Sequence, residues 1–243
     1  MPPKPFPTHF LCIPLVTATS RPQLAASLAS FSADVTSPDT FAVPPGAIRP
    51  VGTLHLTLGV MSFPKGAEAE GGVDQAVELL RALAPRKMLS EARPTSTSNE
   101  EEAEPQPLSV TLRGLHSMQP ASKASTLYAA PADADGALQR FCERLRGAFE
   151  EAGLMVIDKR PLLLHATILN TIYIKGRDRS KGDGKGKKRE KMAIDARGIL
   201  DRYEDHVWMD EVPVEKIAIC RMGAKETEDG RDQAYEVEAE IDV

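Results

Sequence analysis

The chain has 243 residues, 42% hydrophobic and 27% charged, with a net charge of −5; this balance excludes a fibrous or wholly disordered protein. No apolar run approaches the roughly 18–20 residues that cross a bilayer. The opening MPPKPFPTHFLCIPLV, interrupted by Pro14, reads as a first strand rather than a signal peptide. Cys12, Cys142 and Cys220 are widely spaced with no C-x-x-C pair, so neither a zinc site nor a disulfide framework is indicated. Buried, reduced thiols in an intracellular compartment are expected, nuclear or cytoplasmic.

In chain order, Thr8 to Val16 reads as a strand. Arg21 to Ala33 reads as a helix capped by Ser20, with Leu24, Leu28 and Phe31 on one face. VPPGAIRP, residues 43–50, is turn material, and Thr53 to Met61 a strong strand. Val73 to Leu83 has helical spacing. Residues 90–107, SEARPTSTSNEEEAEPQP, lack apolar periodicity and read as a disordered acidic linker dividing the chain nearly in half. Leu108 to Leu115 and Ser125 to Ala130 suggest a hairpin through MQPASK. Ala137 to Ala152 is a helix closed by Gly153. Leu162 to Ile174 reads as one long strand, Asp195 to Tyr203 as a short helix, and Val214 to Arg221 and Ala234 to Val243 as closing strands. The expected fold is α+β: one bilobal domain, two pseudo-symmetric lobes of mainly antiparallel sheet with outer helices around a central cleft.

Charge is unevenly spread. Residues 175–191, KGRDRSKGDGKGKKREK, hold nine Lys/Arg against three acids, leaving the remainder near −11. A flexible basic loop of this kind can attract a polyanion to an acidic body, or act as a nuclear import signal.

Two strands carry the same local pattern: Leu54-His55-Leu56-Thr57-Leu58 and Leu164-His165-Ala166-Thr167-Ile168. Alternate residues of a strand share a face, so each His and its Thr point one way while the apolar residues point into the core. Two imidazoles and two hydroxyls suit metal-free phosphodiester cleavage. One neutral imidazole takes a proton, the other donates one, and the hydroxyls hold the non-bridging oxygens. His9, His116 and His206 have no Thr two residues on. The bland alternative is a pair of strand histidines, with Thr present for β-propensity.

The paired H-x-T strands resemble the two-histidine (2H) phosphoesterase superfamily, with its LigT or RNA-ligase-like fold. THFLCIPL, LHLTLGVM, LHATILNTIYIK, DARGILDRY and VEKIAICRMG are similar to the phosphoesterase domain of A-kinase anchor proteins and to the C-terminal domain of activating signal cointegrator complex subunit one. The resemblance runs from about Thr8 to Val243 and implies two lobes, no metal or other cofactor, and RNA or oligonucleotide substrates with 2',5' or 2',3'-cyclic phosphodiesters. It implies catalytic roles for His55, Thr57, His165 and Thr167.

Secondary candidates follow from parity and position. Tyr173 and Lys175 share the His165 face if the strand continues, and could stack a base and meet a phosphate. Arg221, in a late strand, and Arg21 are further candidates for the anion, each also readable as a surface ion pair. Trp208 and Met209 read as core. The function these features predict is a metal-independent phosphodiesterase, the chain itself a monomer and not membrane-bound. The alternative is an RNA-binding or protein-interaction module of a nuclear complex, with this fold and no turnover.

Overall fold

The computed structural model describes residues 6–63, 67–92, 108–174 and 192–243, with the side chains of 67–71 left out. Its two main sheets are four-stranded and antiparallel throughout. The first has the order β10-β7-β1-β2, with β1 His9–Pro14, β2 His55–Met61, β7 Lys216–Arg221 and β10 Val237–Asp242. The second has the order β5-β4-β3-β6, with β3 Ser109–Ser117, β4 Thr126–Ala132, β5 Ala166–Asn170 and β6 Val207–Pro213. A small ladder pairs β8 Lys225–Glu226 with β9 Gln233–Ala234. The α+β architecture of antiparallel sheets with outer helices is as expected.

Among the described residues five helices cover the sheets: α1 Ser20–Thr36, α2 Ala67–Ala82, α3 Pro85–Ala92, α4 Ala137–Glu151 and α5 Arg197–Arg202. Helix α1 forms because Leu24, Leu28, Phe31 and Val35 recur at helical spacing and are all buried. It packs on β6, where Phe31 meets Trp208 edge-on at 5.1 Å. Helix α4 buries Leu138, Phe141, Leu145 and Phe149 and packs on β2 and α3. Gly153 follows it with φ 71° and returns its N–H to Glu150 O, the left-handed stop that glycine takes without strain.

The lobes do not follow the halves of the chain. The first sheet takes β1 and β2 from the N-terminal half, then β7 and β10 from the last thirty residues, because β7 pairs with β1. Helix α1 leaves that sheet and covers the other.

Several boundaries differ from the sequence reading. Ser20 is not the helix cap; its hydroxyl donates to Leu15 O and accepts from Thr17 N–H, tying the chain back on itself. Helix α3 carries residues 90–92, so the expected linker begins later than Ser90, and its remainder lies outside the described residues, as does the basic loop 175–191. Strand β5 ends at Asn170, whose side-chain oxygen accepts from Ile172 N–H and starts a 3-10 turn over Thr171–Tyr173. The strand expected over Leu162 to Ile174 is therefore shorter at both ends, with β5 confined to Ala166–Asn170 and His165 immediately before it. Strand β6 is an addition; its burial pattern lacks clean alternation. Trp208 and Met209 are buried within it.

Candidate active site

Strands β2 and β5 are edge strands of their sheets and lie against each other. Along β2, His55 and Thr57 are half-buried while Leu54, Leu56 and Leu58 are buried. Along the second motif, His165 and Thr167 are half-buried between buried Leu164, Ala166 and Ile168. The period-two alternation holds at both places, so in each motif the imidazole and the hydroxyl share the face opposite the buried apolar residues.

The two histidines are held alike. His55 Nδ1 lies 2.8 Å from Thr53 O, and His165 Nδ1 lies 2.8 Å from Leu163 O. A carbonyl can only accept, so each Nδ1 carries the proton and donates it, which leaves Nε2 as the nitrogen available to take or give a proton. The threonine hydroxyls have no hydrogen-bond partner within the chain among the described residues.

Their surroundings differ. His55 packs against the rings of Phe10 at 4.8 Å and Tyr235 at 5.2 Å, which also meet each other at 4.9 Å, and it lines, with Phe10, Cys12 and Cys220 but without Thr57, His165 or Thr167, a cavity of about 210 Å³. Burial is the main force pushing its pKa down to about 4, with the charges of Arg49 and His165 adding and the bond to Thr53 O opposing. His55 therefore stands neutral at neutral pH. His165 packs edge-on against Tyr128 at 5.4 Å, and Tyr128 is paired directly with Thr167 across β4 and β5. Cys12 is the matching neighbour of Thr57.

Beyond the two motifs, the candidates read from the sequence scatter. Tyr173 is not placed by strand parity, since the chain turns at Asn170, yet its ring lies 3.9 Å under the guanidinium of Arg49. Lys175 lies outside the described residues. Arg221 is not brought into the cleft with the motifs. Its guanidinium pairs with Glu238 at 2.5 Å and Glu236 at 3.7 Å, as a surface ion pair. Arg21 pairs with Asp232 at 2.9 Å on the cavity's edge, and Asp232 also accepts the N–H of Gly52. Two carboxylate bonds thus pin the 225–234 segment, and Tyr235 after it, over His55.

Arg49 and Tyr235 were not found from the sequence. Arg49 is 5% exposed, its N–H donates to Ile168 O on β5, and its Nη2 is 3.5 Å from Tyr235 Oη. It has no carboxylate partner among the described residues. A cation–π contact gives about 0.5–2 kcal/mol, less than the several kcal/mol that burying a guanidinium costs. The only sequence signal was an arginine inside turn material six residues before His55.

Comparison with known proteins gives three kinds of likeness. A family model described as the AKAP7 2'5' RNA ligase-like domain matches residues 7–243. An uncharacterised protein of Schizosaccharomyces pombe is 29% identical over 102 residues, a stretch that spans 42% of each chain. Among solved structures, E. coli LigT complexed with 3'-AMP is 16% identical with a TM-score of 0.47 over 98% of both chains. TT0787 of Thermus thermophilus is 18% identical with a TM-score of 0.47 over 97% of both. Because the family match runs through both motif strands and nearly the whole length, the chain belongs to the AKAP7 2'5' RNA ligase-like domain family.

Proposed function

We infer that the protein is a metal-independent phosphodiesterase acting on 2',5' or 2',3'-cyclic phosphodiester bonds of RNA or an oligonucleotide. The observation that carries this reading is the duplicated His–Thr geometry. Both imidazoles are locked through Nδ1 to a backbone carbonyl, both keep Nε2 free for proton transfer, each has a hydroxyl two residues on, and β2 and β5 lie against each other.

Neutral His55 serves as the base. Its Nε2 lone pair takes a proton from water while the water oxygen bonds to phosphorus. His165, as imidazolium, keeps its Nδ1–H on Leu163 O and gives its Nε2 proton to the leaving ribose oxygen as the P–O bond breaks. Water is split between a phosphate monoester (for a cyclic substrate) and the freed hydroxyl, and the two histidines exchange their proton through solvent. The hydroxyls of Thr57 and Thr167 hold the non-bridging oxygens in line.

The test is cleavage, in excess chelator, of a 2',5'-linked oligoadenylate, a 3',5'-linked control and a 2',3'-cyclic-ended oligonucleotide. Wild type should turn over the first or third, and His55→Ala and His165→Ala should each lose about 100- to 10,000-fold. Chelator-sensitive activity restored by added metal overturns the mechanism. Absence of turnover with retained oligonucleotide binding points to a binding module.

A further inference from the structure

Among the described residues, one buried charge beside the motif strands has no opposite charge. Arg21, Arg113, Arg144, Arg202 and Arg221 each pair with a carboxylate, with side chains about half exposed. Arg49 is far more buried and has no acid partner among the described residues. Its contacts are the Tyr173 ring at 3.9 Å and one long hydrogen bond to Tyr235. Buried charges are otherwise paired, and these two contacts offset only part of the cost.

Its position is fixed from both lobes. The Arg49 N–H is bonded to Ile168 O, one residue past Thr167, and Ile48 bridges Leu169. On its other side the chain runs through the Val51–Thr53 turn directly into His55. The Arg49 backbone therefore sits where β5 meets the approach to β2, and its guanidinium reaches Tyr235, whose ring packs on His55 at 5.2 Å. Tyr173 holds one face of the plane, so the N–H edge has a set direction, as a bidentate contact to phosphate needs.

We propose that Arg49 is the anion-binding residue of this cleft, donating to the non-bridging oxygens of a phosphodiester and neutralising the charge that grows as phosphorus becomes five-coordinate. In a site using two imidazoles, only one of them charged, Arg49 supplies the permanent positive charge that does not depend on pH. Tyr173 and Tyr235 are its positioning residues. The kinetic part of this assignment rests on the phosphodiesterase reading; the binding part does not.

Calorimetry should compare adenosine 2'-monophosphate with adenosine on wild type, Arg49→Met and Arg49→Lys, each first shown folded by circular dichroism. Wild type is expected to favour the monophosphate. Arg49→Met should lose about 10-fold or more for the monophosphate while binding adenosine as before, and Arg49→Lys should recover part of the loss. In turnover, Arg49→Met should lower kcat by about 100-fold, with partial return in the lysine variant. An unchanged preference for the monophosphate, or an equal loss for both ligands, overturns the proposal. If Arg49→Met does not fold, wild type is treated with phenylglyoxal and mapped. Protection of Arg49 by inorganic phosphate supports the assignment, and modification undiminished by phosphate refutes it. A wild type that binds the monophosphate through Arg49 yet cleaves none of the panel removes the phosphodiesterase reading and leaves this one standing.

Discussion

His55 and His165 have the same local geometry, and the surroundings of His55 leave a signature that can be measured. Burial, Arg49 and His165 hold the folded-state pKa of His55 near 4, against about 6.5 in an unfolded chain. Above pH 6.5 neither state carries this proton, so His55 contributes nothing to pH dependence there. Between about 6.5 and 4 the unfolded chain takes up a proton that the folded chain refuses, and stability falls as pH drops, levelling off below 4. The upper limit is about 3 kcal/mol, less in practice because the ring edge opens on the cleft. Urea unfolding at pH 7 and 4.5 should show a larger loss for wild type than for His55→Asn. Equal losses would remove His55 as the source. The same pKa places the acid limb of kcat/KM well below 6.5, since that ratio reports the free enzyme. A limb at 6.5 in wild type would mean His55 is not the base.

At the scale of elements, the piece that shapes the site around His55 is the short β8–β9 segment and its clamp. Asp232 accepts from Gly52 N–H and pairs with Arg21. Burial works to raise its pKa, but the bonds from Gly52, Arg21 and Gln233 prevail and hold it below the ordinary carboxylate value. Asp232→Ala should cost about 1–3 kcal/mol, measurable as a lowered Tm, and should reduce kcat by freeing Tyr235 from His55. Full activity with a lowered Tm would separate the clamp from the site. None of this was legible in the sequence, where TEDGRDQA is polar turn material and β8 and β9 are two residues each. The motif strands were legible because their signal is local: alternation over five residues decides which way His and Thr point. Strand β5 was overextended because LHATILNTIYIK is rich in β-formers throughout, while the stop is a single side-chain bond from Asn170. Strand β6 was missed because Asp210 and Glu211 interrupt its apolar pattern. Arg49 escaped notice since its meaning lies in a pairing with β5, more than a hundred residues away.

On the scale of the whole molecule, the lobes are interlocked rather than strung in sequence. The last thirty residues return to complete the first sheet, α1 crosses from one sheet to the other, and one buried cluster runs from Leu11 and Ile13 through Leu112 to Trp208 and Ile219. Neither sheet can keep its apolar face covered if the other is lost. Calorimetry should therefore record one unfolding transition, with calorimetric and van't Hoff enthalpies equal. Two resolved transitions would contradict the interlock. Sequence reading divided the chain at the acidic linker because composition changes there, whereas lobe membership is set by long-range strand pairing, which composition does not encode.

The amide of Arg49 is a donor across the seam, to Ile168 O. That hydrogen can exchange with solvent only when the segment leading into β2 lifts from β5 at this point. Its exchange rate in heavy water is therefore a clock for opening of the cleft. It runs in the resting protein without substrate, and a bound nucleotide that draws the strands together should slow it.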